Sequence, residues 1–401
     1  MAMSASIIWE YRDTATANMV NGGGFTAGAS GVDHSTDDGA VTNWSKADGA
    51  SSASTTFTSA TATFDSNIVG NILHLTIGTG ATVGWYEVTG YTDANTITLD
   101  RVSGTYTGAT FYVGGALNVG GSLEDSFFEQ CVAGQTVYIK SGTYTPSQSI
   151  STTTVGTASL PIAIEGYQTT RGDNATGANR PLIAMGANTL FLNDYFYLFN
   201  LRITISTAAG VQYGTGVLSG NVFFENTSGT ANRPGSSSND GSQRYINCEF
   251  KSAAGYGASS QNADNNITFI GCYFHDSVIG LAAAGSGMRI INSIFDTNTT
   301  GFTSGTTRVV QLLLNNTFYN SSTAGISGSS ATLMVALNNI FDTCGTGVTF
   351  TAQANSNWFD YNNYFNNTTD RTNVMTGDHD TALDPGFTNA ANGDFSITGD
   401  I

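Results

Sequence analysis

Six positions in a repeated stretch of the chain carry the residue types of acid–base and sugar-handling chemistry: Lys251, His275, Asp296, Tyr319, Asp342 and Asn366. Each directly follows an aromatic anchor, as in "NSIFDTNTTG" (Asn292 to Gly301) and "NNIFDTCGTG" (Asn338 to Gly347). Two carboxylates separated by one intervening copy suit glycoside hydrolysis. With successive copies stacked like neighbouring strands, at about 4.8 Å, Asp296 and Asp342 stand about 9.6 Å apart. Inverting glycosidases hold their acid and base about 6.5–9.5 Å apart, leaving room for a water. His275, one copy before Asp296, can tune an acid, and the Tyr319 ring can stack on a sugar. Lys251 and Asn366 extend the line as binding groups. The competing reading is structural, because Asp and Asn close tight turns by bonding their side chains to the backbone. A second acidic group, "GDHDTALD" (Gly377 to Asp384), offers Asp378, Asp380 and Asp384 as oxygen ligands for calcium. It lacks the EF-hand pattern, so a solvated loop and no obligatory cofactor are expected there.

These residues share one face only if the chain is a solenoid. Aligned on the motif Asn-x-x-Phe, the residues Phe250, Phe274, Phe295, Phe318, Phe341 and Phe365 recur at steps of 24, 21, 23, 23 and 24. Phe224 and Ile203 extend the series upstream. Each copy divides into short strands, as in "ITFIG", "CYF" and "IGLAAAG", which predicts one coil of a parallel β-helix per copy. The Leu-x-x-Leu-x-Leu pattern of leucine-rich repeats, which have a similar period, is absent. Strand alternation points the phenylalanines inward and the residue after each outward, toward solvent. The leading Asn247, Gly271, Asn292, Asn315, Asn338 and Asn362 fall at sharp bends, where Asn and Gly tolerate left-handed backbone. An interior column of Cys248, Cys272, Ser293, Asn316, Asn339 and Asn363 is expected to bond from coil to coil, which removes the cost of burying its amides.

"AGQTVYIKSGTYT" (Ala133 to Thr145) resembles the opening coil of right-handed parallel β-helix proteins of the pectate-lyase-like superfamily, and "LDPGFTNAANGDFSI" (Leu383 to Ile397) resembles the segment that closes their repeats. The resemblance implies a β-helix over residues 115–385 and a closing segment over 386–401. "IIWEYRDTATANMVNGGGF", within residues 1–40, resembles the first strand and Gly-rich turn that run into a helical cap in such proteins. Here the cap is displaced by "NILHLTIG", "GWYEVTGY", "NTITLDR" and "ATFYVGG", four segments with period-two alternation. They predict a small antiparallel β module over residues 41–114. "LEDSFFEQCV" then places Leu123, Phe127 and Cys131 at helical spacing, predicting a short capping helix over 123–132. The whole arrangement is similar to that of predicted β-helix proteins of phages and viral metagenomes.

Composition narrows the partners. The net charge is −17, and the 13 Lys and Arg are scattered singly, so no electrostatic grip on nucleic acid or on an anionic membrane surface is expected. No apolar run is long enough to span a bilayer as a helix. The four cysteines lie far apart, which argues against a zinc site or a disulfide framework. The superfamily's pectate lyases, as the resemblance implies, surround an acidic sugar with calcium and basic residues. Beyond residue 245 this chain has only Lys251, Arg289, Arg308 and Arg371. "MAMSASIIWEYRD" has no basic, apolar secretory signal. The expectation is a non-catalytic virion protein of a tailed phage (capsid decoration, fibre or spike), assembled in the host cytoplasm. Its expected partners are other virion proteins, copies of itself and surface polysaccharide. The alternatives are a polysaccharide hydrolase or lyase and a bacterial surface adhesin.

Overall fold

The computed structural model describes residues 8–11, residues 45–114 apart from 65, 70 and 71, and residues 133–397 apart from loop segments at 169–171, 207–210, 228–234, 238–241, 261–265, 284–286, 306–309, 330–331 and 354–356. Among these the chain is all-β, and its helical turns are three short 3-10 segments. The capping helix expected at Leu123 to Val132 lies outside the described residues. The chain folds as two compact units, residues 1–147 with 153–183, and residues 148–152 with 184–401.

In the first unit, six strands close into an antiparallel barrel: Ser45–Ser52, Thr56–Thr58, Ile72–Ile77, Gly84–Asp93, Thr96–Leu99 and Thr105–Gly114. The four alternating segments of the sequence are among them, and their inward residues Leu73, Leu75, Val88, Ile97 and Phe111 are fully buried. The strand "SKADGASS" carries no apolar alternation, yet it belongs to the barrel. A side chain at Gly49 would meet the Phe57 ring at 2.8 Å and the Phe111 ring at 3.0 Å, so the bulk that usually marks a strand is excluded there. The same unit holds the first solenoid strands. Ile8–Tyr11 pairs in parallel with Thr136–Lys140, which pairs with Ile162–Tyr167 on its other side.

The second unit is a parallel β-solenoid. Each coil contributes one strand to each of three sheets, as with Asn266–Ile270, Tyr273–His275 and Ile279–Ala283. The middle strands pair in the register Phe250–Phe274–Phe295–Phe318–Phe341–Tyr364. Their rings stack nearly parallel inside the solenoid, with centroids 4.9, 4.7, 4.6, 4.9 and 5.0 Å apart. The last coil therefore corrects the expected register by one residue. In "DYNNYF" it is Tyr361 that takes the left-handed bend, Asn362 that enters the interior and Tyr364, not Phe365, that joins the aromatic stack. Either of the two adjacent asparagines can supply the interior amide, and the bonds from Asn339 fall on Asn362.

Those bonds form a continuous ladder. The N–H of Cys272 donates to Ser293 Oγ, that of Ser293 to Asn316 Oδ1, that of Asn316 to Asn339 Oδ1 and that of Asn339 to Asn362 Oδ1, at 2.9–3.1 Å. Each amide Nδ2 in turn donates to a carbonyl of the preceding coil, Ile290, Leu313 or Ala336. Cys248 and Cys272 make the equivalent contact through their thiols, to Ser219 and Tyr245. The ladder ends on Asp380, whose Oδ1 accepts from the N–H of Asn362 at 2.8 Å. A second ladder, three residues past each inward aromatic, joins Ser277 to Asn298 and Cys344 to Asn367.

The glycine that closes each motif also has a reason. A side chain at Gly325 would lie 2.7 Å from the Gly347 carbonyl and 2.8 Å from the Phe341 ring. Gly280, Gly301 and Gly347 meet the same obstruction, so the coil passes over the ring edge only where no Cβ exists.

Candidate functional site

The strand that buries each aromatic turns its two flanking residues outward. Lys251, His275, Asp296, Tyr319 and Asp342 are aligned in successive coils, and the next partner of Asp342 is Phe365. Asn366 falls one residue later, in a second left-handed bend column with Asp276, Thr297, Asn320 and Thr343. It does not extend the outward line.

The structure brings Asp296, Tyr319 and Asp342 together, but not as an open groove. Only 8% of Asp296 and 7% of Asp342 is exposed, against the expectation that this column faces solvent. Over Tyr319, which stands between them in the register, lies the chain's own C-terminal hairpin, Phe387–Asn389 with Asp394–Ile397. Phe395 and Phe387 pack edge-on against the Tyr319 ring at 5.4 and 6.4 Å. Beneath them Asp296 accepts hydrogen bonds from the Tyr273 hydroxyl at 2.6 Å and from Thr297 Oγ1 at 2.7 Å. Asp342 accepts from Thr343 Oγ1 at 2.7 Å. Burial pushes the Asp342 carboxyl above its ordinary range; the Thr343 bond opposes this, and the Asp384 charge adds to it. Thr297 and Thr343 are β-branched residues at φ 51° and 57°, a conformation such residues rarely adopt. The two hydroxyl–carboxylate bonds help hold them there.

His275 lies in a charged cluster of its own. Its Nε2 is 3.1 Å from Glu249 and its Nδ1 3.0 Å from Asp276, while Lys251 Nζ donates to Asp276 at 2.8 Å. The ring stacks on Tyr273 at 4.4 Å. Burial disfavours the imidazolium, but the bonds to Glu249 and Asp276 outweigh it, and the His275 pKa is raised.

The acidic loop does not gather its carboxylates. Asp380 pairs with Arg371 and accepts from the N–H groups of Asn362 and Gly377, and Asp384 accepts from the N–H of Gly386. Among the described residues no three Asp, Glu, His or Cys side chains converge as metal ligands. Sequence reasoning missed the pair next to the loop's carboxylates. His379 Nδ1 lies 3.0 Å from Asp360 Oδ2, and the His379 ring stacks on Tyr361 at 4.3 Å. The available signal was the tyrosine standing where earlier coils place Asn or Gly.

Residues 236–387 match the family model of the right handed beta helix region. The solenoid is a right-handed β-helix. Two solved structures are similar to the chain at low identity. One is described as the crystal structure of pectate lyase Pel9A: 15% identity, covering 68% of this chain and 78% of that one, with a TM-score of 0.49. The other is the A-module of the Azotobacter vinelandii mannuronan C-5 epimerase AlgE6: 12% identity, covering 66% of this chain and 95% of that one, with a TM-score of 0.35. No curated protein matches the chain.

Proposed function

We propose that this chain is a non-catalytic structural β-helix of a phage virion, a decoration, fibre or spike component that contacts surface polysaccharide without cleaving it. The observation that carries the non-catalytic reading is the closure of the carboxylate pair. A hydrolase needs both groups reachable by substrate and water, whereas Asp296 and Asp342 are buried and bonded to Tyr273, Thr297 and Thr343. The virion assignment draws on the net charge of −17 and the 13 Lys and Arg, which keep a high-copy surface protein soluble and clear of nucleic acid. Other virion proteins and further copies of the chain are its partners in this reading.

One feature favours a polysaccharide-cleaving enzyme instead. Strained backbone gathers at functional sites, and Thr297 and Thr343 adjoin the two carboxylates. Incubation with a panel of bacterial and algal polysaccharides decides the matter. No new reducing ends and no absorbance of unsaturated sugars are expected. Turnover that disappears in Asp296→Asn or Asp342→Asn would overturn the non-catalytic reading. Mass spectrometry of purified particles is expected to find the chain at a fixed copy number, and its absence from them would overturn the virion role.

A further inference from the structure

The outer face of the last coils carries a cleft of about 490 Å³, within the usual range for small-ligand pockets of about 300–1,000 Å³. Its lining joins the bend column, Asn315, Asn338 and Tyr361, to the C-terminal segment at His379 and Thr381. No Asp, Glu, Lys or Arg lines it, and the one titratable ring, His379, is tied to Asp360 at 3.0 Å. The site has no countercharge to offer an acidic sugar or a phosphate. It does offer side-chain amides, and those of Asn315 and Asn338 are exposed. They bond to each other, Asn338 Nδ2 donating to Asn315 Oδ1 at 2.8 Å, which leaves the Asn315 Nδ2 as a donor and the Asn338 Oδ1 as an acceptor toward a ligand.

Tyr361 supplies the other half of a sugar site. One side of its ring lies flat on the His379 imidazole, at 4.3 Å and 2°, and 55% of the residue remains exposed. An aromatic body with a polar tip suits a surface that is partly apolar and partly wet. Its backbone is at φ 57°, in the column that holds Asn247, Gly271, Asn292, Asn315 and Asn338 in earlier coils. A bulky residue there is strained where asparagine is not. The exchange of Asn for Tyr occurs at the coil where the cleft forms.

We infer that this cleft binds a neutral saccharide, two or three residues of an uncharged glycan. One sugar ring stacks on the exposed part of Tyr361, and its hydroxyls bond to the Asn315 and Asn338 amides. The choice of ligand rests on the polysaccharide contact proposed above, and the cleft gives that contact a place.

The test is calorimetric titration of the full chain with maltotriose, cellotriose and mannotriose, with trigalacturonate as the charged comparison. Saturable binding of at least one neutral trisaccharide is expected, and none of trigalacturonate. Tyr361→Asn, which restores the residue type of the column, should bind at least tenfold more weakly with an unchanged or higher Tm. Tyr361→Phe keeps the ring and should retain binding, which separates a sugar contact from a folding role if Tyr361→Asn proves unstable. Absence of binding by all three neutral sugars, equal binding of trigalacturonate, or loss of affinity in Tyr361→Phe equal to that in Tyr361→Asn would overturn the inference. Turnover, read separately as reducing ends, bears on the non-catalytic reading alone, so the two can fail independently.

Discussion

His275 shows how a residue that looked catalytic can be held by its neighbours for another purpose. Its imidazole lies between Glu249 and Asp276, and Lys251 bonds the same Asp276 oxygen. The cluster favours the charged ring, so the folded pKa lies above the unfolded value of about 6.5. A raised pKa on a base stabilises the fold fully below the unfolded value, and that contribution disappears as pH rises through the folded one. Thermal melts of the parent and of His275→Gln should therefore differ most at about pH 6. The gap should narrow as the pH is raised further. A gap of constant size between about pH 6 and pH 9 would show that the imidazolium is not held. Asp276 titrates at the other edge. Burial raises its pKa, but the bonds to Lys251 and His275 lower it further, so its contribution is lost only in acid, as pH falls through the folded value.

The element that organises the solenoid is the interior ladder, and its members are interchangeable by function more than by residue type. Cysteine and asparagine place a donor on the preceding coil, serine donates to Ile291 within its own coil, and serine and asparagine accept the backbone N–H of the coil before them. Asn339 is fully engaged. Its Oδ1 accepts from the N–H and Nδ2 of Asn316, and its Nδ2 donates to Leu313 and Asn362. Leucine has a similar volume but none of these groups. Asn339→Leu is expected to cost about 1–3 kcal/mol for each buried group left unpaired, read as a lower denaturant midpoint. An unchanged midpoint would mean that the ladder is incidental to stability. Termination matters as much as continuation, because an open solenoid end exposes unpaired backbone. Asp380 closes this end, satisfying Asn362 and Gly377 while paired with Arg371.

At the scale of the whole molecule the two parts are built on different principles. Solenoid coils bury one another, so each depends on its neighbours. The barrel, in contrast, has closed its sheet and surrounds a core of its own, with Phe57, Tyr86, Val88, Ile97 and Phe111 among its fully buried residues. A closed barrel has no free edge strand. Residues 45–114 expressed alone are expected to unfold in one cooperative transition, with a β-rich circular dichroism spectrum. A fragment without a transition would show that the barrel depends on the rest of the chain.

The parallel solenoid, the inward phenylalanines from Phe250 to Phe341, the left-handed bends and the buried thiols were legible in the sequence. Each follows from a spacing that repeats over a coil or less, and a coil touches only its neighbours. The register of the final coil was not legible, because "NNYF" fits Asn-x-x-Phe in the frame that the structure does not adopt, and the bonds from Asn339 to Asn362 hold the other. The barrel strand around Gly49 was hidden because ring contacts exclude the bulky residues that normally mark a strand. Whether the line from His275 to Asp342 meets solvent was beyond sequence as well. Alternation tells which side chains leave the coil interior, but exposure depends on what else packs there. Phe387 and Phe395 reach Tyr319 from a distant segment, and the two carboxylates that flank Tyr319 in the register are buried.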